Sequence, residues 1–306
     1  MKKYILLLIS LASLAPCALW AQNDVQQTNY MFNELSFNPA YAGATGTFRA
    51  TLLGRKQWVG FENSPFMQTL AVDGAMKRFG SLGFVAINDM LGYQHFTHAK
   101  ALYSYTVKFT EKARFTLGAG GGIIYSSLDG SSFAYQDQQT TDPVGIFDTQ
   151  SDLRPTFDIG VQFLHSNLSL GLSVTHVQQS LRYATIADNP QHYYFYGQYK
   201  WNLKPNLYAV PTVWIKHGSN KTQADANINF YMNNRFWLGA TYRIAESAAV
   251  LAGLILKEQW YVGYSYDFPI SNLTGHNLGN HEIFVSFRLK PKAAQSGFYQ
   301  STRLFN

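Results

Sequence analysis

Apolar and polar side chains alternate along most of the chain, in segments of roughly ten residues, the length of a membrane-crossing β-strand. Over 168–175 the order is Leu-Ser-Leu-Gly-Leu-Ser-Val-Thr, so an extended strand there has one apolar and one small or polar face. Across the chain the apolar positions are rich in Tyr, Phe, Trp and Leu. An apolar face toward lipid and a polar lumen are typical of a β-barrel that spans a membrane.

The same alternation predicts which way individual side chains point. In one strand Asp158, Gly160 and Gln162 take lumen positions, and in the last strand Ser286 does so. Pairing of the first strand with this last one would leave no sheet edge exposed to lipid. The residues predicted to face lipid in three of the strands are Tyr103, Tyr105, Val107, Phe109, Phe157, Ile159, Val161, Phe163, Ile283, Val285, Phe287 and Leu289.

Short and long connections alternate between these segments. Such asymmetry is typical of outer-membrane barrels, which have short periplasmic turns and longer extracellular loops. We therefore predict an all-β fold, an antiparallel up-and-down transmembrane barrel of about 14 strands with both termini in the periplasm. Tight turns are predicted at 77–80, 110–112, 165–167, 202–205, 233–234 and 257–258. A first loop is predicted at 55–60, and longer loops at 88–95, 127–154, 178–191, 217–223 and 268–280.

The chain divides into four predicted parts. Residues 1–21 combine a basic start, a short apolar run and a small final residue, which indicates a removable signal peptide. A lipoprotein anchored at Cys17 is the alternative, although Pro16 fits a lipobox poorly. An Asn-rich lead-in or plug segment follows at 22–46, then the barrel at 47–290 and a polar periplasmic tail at 291–306.

Composition supports a membrane barrel and excludes several other classes. Charged residues make up 14% and aromatic residues 16% of the chain, whereas a soluble domain carries about 25% charged residues. A large secreted β-sandwich stays open as an alternative. The formal charge of +6 includes Lys2 and Lys3 of the leader, and the rest is too scattered to indicate nucleic acid. Removal of the leader with Cys17 would leave no cysteine for disulfides or thiolate chemistry.

Clusters that resemble reactive sites have simpler explanations. The predicted loop 127–154 carries five aspartates, yet their spacing matches no calcium-binding motif, so a solvated loop is favoured. The eight histidines are dispersed, and no Ser/His or Asp/His pair suits hydrolysis. Gly118, Gly120, Gly121 and Gly122 lie in a strand pattern, where they relieve crowding in the lumen or bend the barrel. We therefore predict no enzyme activity, no metal and no cofactor.

Charges at lumen positions are the remaining candidates for function. A charge facing a wet lumen costs little, whereas Arg or Lys on the lipid face costs about 2–4 kcal/mol at the midplane. These side chains either pair with one another and rigidify the barrel, or hold a plug or a docked partner segment. The predicted lumen-facing charges are Lys108, Asp158, Lys200, Arg243, Asp267 and Arg288.

Two specific motifs give the chain a family resemblance. Residues 38–43 read Asn-Pro-Ala-Tyr-Ala-Gly, preceded by Tyr-Met-Phe-Asn at 30–33, and residues 263–269 read Gly-Tyr-Ser-Tyr-Asp-Phe-Pro. With these and residues between them, the chain resembles the PorP/SprF outer-membrane proteins of the type IX secretion system of Bacteroidetes. Further positions that carry the resemblance are Arg55, Gln57, Trp58, Gly60, Pro65, Asp73, Gly80, Gly83, Asn88, Asp89, Gly92, His281 and Glu282.

The resemblance implies a role in secretion and surface anchoring. Its expected partners are outer-membrane lipid, periplasmic type IX components and the C-terminal sorting domain of a secreted adhesin. A hydrophobic-compound uptake channel with an N-terminal plug is the alternative, but the polar lumen favours secretion. Of the candidate partner or plug residues, four in the lead-in segment are expected at the periplasmic entrance: Asn38, Pro39, Tyr41 and Gly43. The other candidates are Ala40, Arg55 and Trp58.

The predicted topology can be tested with epitope tags. A tag within 127–154 should be labelled by antibody on intact cells, because that loop is predicted to be extracellular. A tag after Lys290 should be labelled only in permeabilised cells. Surface labelling of the C-terminal tag would contradict the topology.

Overall fold

The computed structural model describes residues 25–76, 79–132, 148–180, 190–218, 221–270 and 278–289. The predicted signal peptide, its Cys17 alternative and the predicted tail at 291–306 lie outside these residues. Within the described residues, no helix has the length and apolar character needed to cross a membrane.

The described chain forms one antiparallel sheet that closes on itself, because β1 pairs with β15 and β10 pairs with β11 as well as with β8 and β9. Strands β8 and β9 are one crossing interrupted at Lys200, so the barrel has the predicted 14 strands. The strands are β1 (Arg49–Lys56), β2 (Phe66–Ala75), β3 (Ser81–Leu91), β4 (Gln94–Lys108), β5 (Ala113–Asp129), β6 (Thr149–His165), β7 (Leu168–Thr175), β8 (His192–Tyr199), β9 (Trp201–Lys204), β10 (Leu207–Gly218), β11 (Lys221–Met232), β12 (Phe236–Arg243), β13 (Ser247–Leu256), β14 (Trp260–Pro269) and β15 (Asn280–Arg288).

The alternation of side chains produces the two faces of this barrel. In β6, Phe157 and Ile159 are each 53% exposed, whereas Asp158 between them is 2% exposed. The outer face carries the large apolar side chains, and the inner face carries polar and small ones together with an aromatic core. The predicted fold class is confirmed.

The two ends of the barrel differ in the length of their connections. We call one the short-turn end, where the strands join at 76–80, 109–112, 166–167, 205–206, 233–235 and 257–259. We call the other the loop end, where the long connections are 57–65, 130–148, 176–191 and 270–279. Because outer-membrane barrels have short periplasmic turns and longer extracellular loops, we assign the short-turn end to the periplasm.

Two predicted loops at the loop end are wrong, because strands run through them. β3 and β4 stay paired to Leu91 and Gln94, so the predicted loop 88–95 is a two-residue turn at Gly92, which adopts a φ of +60°. β10 and β11 likewise stay paired to Gly218 and Lys221, within the predicted loop 217–223. Polar residues on both faces of these strand ends hid the alternation from sequence analysis.

Shorter boundary errors affect other strands. Arg55 was expected in the first loop, yet it lies in β1, which continues to Lys56. The predicted turn 202–205 overlaps β9, which ends at Lys204. An additional turn at 244–246 joins β12 to β13 at the loop end, and sequence analysis did not identify it.

The lead-in segment is residues 25–48 of the described chain, and most of it lies inside the barrel, whereas Phe48 at its end is exposed. It carries three single-turn 3-10 helices, η1 (Tyr30–Phe32), η2 (Glu34–Ser36) and η3 (Pro39–Tyr41). Two further 3-10 turns, η4 (Gly130–Ser132) and η5 (Val177–Ser180), lie at the loop end. Within the lead-in predicted at 22–46, the strands bury residues 26–43.

The lead-in segment runs through the lumen from one end to the other. Gln26 contacts Glu246 in the 244–246 turn at the loop end, while the Gly43 N–H donates to Asp73 in β2 near the short-turn end. Both termini were expected at the periplasmic end. Strands β1 and β15 do begin and end there, but the chain around Gln26 lies at the opposite end of the lumen.

The facing of β7 can be tested at Leu172, which points outward near the middle of that strand and is 55% exposed. Leu172→Arg should lower the free energy of unfolding by about 2–4 kcal/mol, because it buries a cation in lipid. Urea unfolding in lipid vesicles measures this. Leu172→Ile is the control and should change stability by less than about 1.5 kcal/mol. Equal stability of the two variants would contradict the assigned facing.

Candidate functional site

The η3 helix is fixed to the barrel wall through Asn38. Its Oδ1 accepts a hydrogen bond from the Ala40 N–H (2.9 Å), which caps the helix. Its Nδ2 donates to the carbonyl oxygens of Val161 (3.2 Å) and Leu172 (3.3 Å). One asparagine therefore joins the lead-in segment to both β6 and β7.

Glycines in three neighbouring strands make room for η3. A Cβ atom at Gly118 in β5 would collide with the backbone of Ala40, and one at Gly160 in β6 would collide with the side chain of Asn38. A Cβ at Gly171 in β7 would press against the Tyr41 ring. These residues form a glycine seat for η3. The glycines around 118 were expected either to relieve crowding in the lumen or to bend the barrel. Gly118 relieves crowding, because it leaves space for Ala40.

Aromatic side chains fill the centre of the lumen. Tyr30 stacks on Trp214 with ring centroids 4.8 Å apart, and Phe32 stacks on Phe284 at 4.3 Å. Tyr41 meets Tyr196 edge to face at 5.7 Å. Such geometries are favourable for aromatic pairs. The lead-in segment is therefore part of the hydrophobic core.

Buried charges at the loop end form the ionic cluster, which consists of Arg55, Arg243, Asp225, Asp267 and Glu282. Arg55 contacts Asp267 (2.7 Å) and Glu282 (3.2 Å). Arg243 contacts Asp225 (3.0 Å) and Asp267 (3.3 Å). All five side chains are at most 2% exposed. Each charge thus has an opposite partner, as burial in a lumen without bulk water requires.

The ionic cluster also binds the backbone of the lead-in segment. Glu282 accepts hydrogen bonds from the Thr28 N–H (2.9 Å) and the Asn29 N–H (2.6 Å). The Thr28 hydroxyl donates to Asp267 (2.8 Å), and Arg243 donates to the carbonyl of Gln27 (3.0 Å). The barrel wall recognises these residues through charge-assisted hydrogen bonds, which are stronger than neutral ones.

A second charged contact holds the other end of the lead-in segment. Arg49 in β1 donates to Glu34 (2.9 Å) and to Asp73 (2.7 Å), and Asp73 also accepts from the Gly43 N–H (2.8 Å). Gly43 has a φ of +67°, and a side chain there would also overlap Ser81. Only glycine fits this position without strain.

The candidate residues from the sequence fall into different environments. Asn38, Pro39, Ala40, Tyr41 and Gly43 are together within the lead-in segment. Asn38 is 1% and Tyr41 2% exposed, so the strands enclose both side chains and neither is accessible at an entrance. Asn38 and Tyr41 contact β6 and β7 at the glycine seat, whereas Gly43 contacts Asp73 and lies against Ser81 near the short-turn end.

Arg55 and Trp58 are separated from that group. Arg55 belongs to the ionic cluster. Trp58 lies partly exposed in the 57–65 connection, and its backbone N–H donates to the side-chain oxygen of Asn280 (2.9 Å). Trp58 adopts a φ of +47°, an unusual conformation for a residue with a side chain.

The predicted lumen charges also divide. Arg243 and Asp267 lie in the ionic cluster, and Asp158 pairs with Lys100 at 2.6 Å. Lys200 and Arg288 lie over the rings of Tyr208 and Tyr261, each at 4.2 Å. Lys108 is exposed at the end of β4.

Sequence analysis missed several partners of these charges. Asp225 and Glu282 occupy inward positions of β11 and β15, so the alternation rule could have identified them. Thr28, Asn29 and Glu34 belong to the aperiodic lead-in segment, where no rule predicts facing.

Three buried histidines lie near one another: His98, His176 and His192. The ring centroids of His98 and His176 are 5.7 Å apart, and those of His176 and His192 are 6.5 Å apart. His176 shares a hydrogen bond with the Thr156 hydroxyl (2.9 Å). In the part of the chain described, no group of three or more His, Cys, Asp or Glu residues is arranged to hold a metal ion.

Comparisons with known proteins identify a family. The family described as "Type IX secretion system membrane protein PorP/SprF" matches residues 19–287. No curated protein sequence matches the chain significantly. Among solved structures, the KdgM porin is similar over 79% of this chain and 99% of its own, with 10% identity and a TM-score of 0.38. The translocator domain of autotransporter NalP from Neisseria meningitidis is similar over 79% and 88%, with 10% identity and a TM-score of 0.41.

The ionic cluster can be tested at Arg55. Arg55→Met leaves Asp267 and Glu282 short of positive charge, which should lower the free energy of unfolding by about 3–5 kcal/mol. Urea unfolding in lipid vesicles measures the change. The control is Arg288→Met, which removes a cation from the face of the Tyr261 ring. It should lower the free energy of unfolding by about 1 kcal/mol or less. Similar losses in the two variants would contradict a special role of the ionic cluster.

The glycine seat can be tested by adding a methyl group. Gly118→Ala should displace η3 and lower the free energy of unfolding by about 1–3 kcal/mol, because the added methyl group overpacks the lumen. The lead-in segment should then be cut by chymotrypsin at its aromatic residues. Gly121→Ala in the same strand is the control, since its Cβ would meet only Phe157 at an ordinary distance of 3.7 Å. If both variants resist chymotrypsin like the parent, the seat does not hold the segment.

Proposed function

The chain belongs to the PorP/SprF family of type IX secretion system membrane proteins, and from that premise we propose that it holds a secreted adhesin at the outer membrane through the adhesin's C-terminal sorting domain. The family match over residues 19–287 is the observation that carries this proposal, since it spans the lead-in segment and the barrel. The protein resides in the outer membrane, and membership of the family implies association with other components of the secretion system.

In this proposal the lead-in segment is a resident plug. It is held at one end by the ionic cluster, in the middle by the glycine seat, and at the other end by Arg49 and Asp73. A segment with contacts along its whole length does not leave the lumen without breaking all of them. The barrel therefore serves as an anchor and not as a conduit, and its role is non-catalytic.

The uptake of a hydrophobic compound is the competing function. Uptake needs a continuous apolar route, and the lumen centre is occupied by Tyr30, Phe32 and Tyr41 of the chain itself. The charges of the ionic cluster line the same route at the loop end. Both features favour anchoring over uptake.

The proposed function predicts the result of deleting the gene. One surface adhesin should be lost from the cell surface and recovered in the medium or the periplasm, while other type IX clients stay in place. Quantitative surface proteomics of the deletion strain and of a complemented strain measures this. Intact adhesins together with loss of uptake of a hydrophobic compound would favour the channel instead. Loss of all type IX clients would point to a general role in secretion.

A further inference from the structure

The outer face of the barrel carries a groove where β12, β13 and β14 run side by side. Ala252 in β13 forms part of its floor, between its strand partners Leu238 in β12 and Tyr264 in β14. The groove has a volume of about 490 Å³, within the range of about 300–1,000 Å³ for small-ligand sites. Larger exposed side chains surround the alanine, and they are Phe236, Leu238, Leu254, Tyr264 and Ile283.

The groove lies in the half of the wall next to the short-turn end. Trp260, one outward position before Val262 in β14, is 44% exposed and lies beside the 257–259 turn. Exposed aromatic residues at this level are typical of the girdle that marks a membrane interface. The groove extends from Val262 to Tyr264, near the middle of the strand. It therefore faces the acyl chains of the leaflet next to the periplasm.

The lining of the groove is apolar and closed towards the lumen. Among the described residues that line it, the one side-chain oxygen is the Tyr264 hydroxyl, which shares a hydrogen bond with His281 (2.6 Å). Gly253 and Gly263 are paired beneath the groove, and Trp237 packs against both of them from the lumen. A ligand of this groove therefore comes from the bilayer and not from the lumen.

Two exposed cations lie at the periplasmic mouth of the groove. Met232 and Phe236, which line it, flank the turn that contains Arg235. The Arg235 carbonyl accepts from the Ile255 N–H (2.7 Å), and Lys257 follows two residues later in the neighbouring turn. The acidic Glu258 is next to Lys257, yet the two turns together keep a net positive charge. The groove thus combines an apolar channel with a cationic rim.

We propose that the groove binds one acyl chain of a phospholipid from the periplasmic leaflet, while Arg235 and Lys257 bind the phosphate of its headgroup. Headgroups lie at the level of the aromatic girdle, and the groove runs from that level towards the middle of the membrane. Long basic side chains bring their charge to the interface while their apolar stems lie along the wall. This site is independent of the proposed function, because it lies on the outer face of the barrel.

A second copy of this chain fits the groove less well. Two upright copies related by an axis along the membrane normal would bring the same concave face together. The space between them would double, and unfilled space at an interface loses packing contacts. A flexible acyl chain fills a concave apolar surface without that loss.

Filling the groove tests the acyl-chain contact. Protein extracted from the outer membrane in mild detergent should carry one phospholipid in native mass spectra. Ala252→Trp should lower the lipid-bound fraction by at least about tenfold, because the indole takes the place of the acyl chain. Ala101→Trp is the control, since Ala101 is an exposed residue of β4 on the other side of the barrel, and it should keep the parental fraction.

Heat-modifiable migration in gels checks that the tryptophan variants fold. If Ala252→Trp does not fold, Ala252→Leu is the smaller replacement, with Ala101→Leu as its control and the same expected direction. Equal lipid-bound fractions in a folded pair overturn the proposal. A parental dimer that the Ala252 variant dissociates also overturns it, because the groove would then belong to a second copy. Bound lipid A, which comes from the other leaflet, overturns it as well.

The phosphate contact is tested on delipidated protein with dipalmitoylphosphatidylglycerol as the probe. Arg235→Gln combined with Lys257→Gln should weaken binding by about tenfold or more, since each cation at the interface attracts the headgroup. Lys108→Gln combined with Lys112→Gln removes the same charge elsewhere on the short-turn end and should leave the affinity unchanged. Equal affinities of the two double variants would show that the rim does not bind the phosphate, and the proposal would be wrong.

Discussion

The structure depends on charges that are buried in the lumen and paired there. Arg55 is contributed by the first strand of the barrel and Glu282 by the last, and between them they hold Thr28 of the lead-in segment. Removing charges from water is costly unless each one has a partner and its hydrogen bonds are made. The ionic cluster satisfies that condition only when the lead-in segment is in place, because its backbone N–H groups complete the coordination of Glu282.

The rest of the lumen is organised around the same segment. The aromatic rings of Tyr30 and Phe32 stack on residues of β10 and β15, so apolar contacts follow directly after the charged ones along the chain. Glycines in β5, β6 and β7 then leave space for η3. Wall and lead-in segment are therefore complementary in charge at both ends and in shape at the glycine seat between them.

Sequence patterns predicted the wall of the barrel better than its contents. Regular alternation specified the facing of strands such as Thr149–His165, because lipid on one side and a polar lumen on the other impose a period of two. The pattern failed at 88–95 and 217–223, where strand ends carry polar residues on both faces. It could not predict that the strands enclose Asn38 and Tyr41, since an aperiodic segment has no facing rule. Arg243 and Asp267 were identified by position, but their contact with residues 27–28 depends on tertiary packing.

The position of the ionic cluster at the seam between β1 and β15 has a consequence for assembly. Arg55 and Glu282 come together only when the last strand closes on the first, and Glu282 is also the acceptor for the Thr28 and Asn29 N–H groups. Closing the seam around an empty lumen would leave Glu282 without those two donors. Barrel closure and docking of the lead-in segment are thus thermodynamically coupled, because each supplies partners that the other leaves buried.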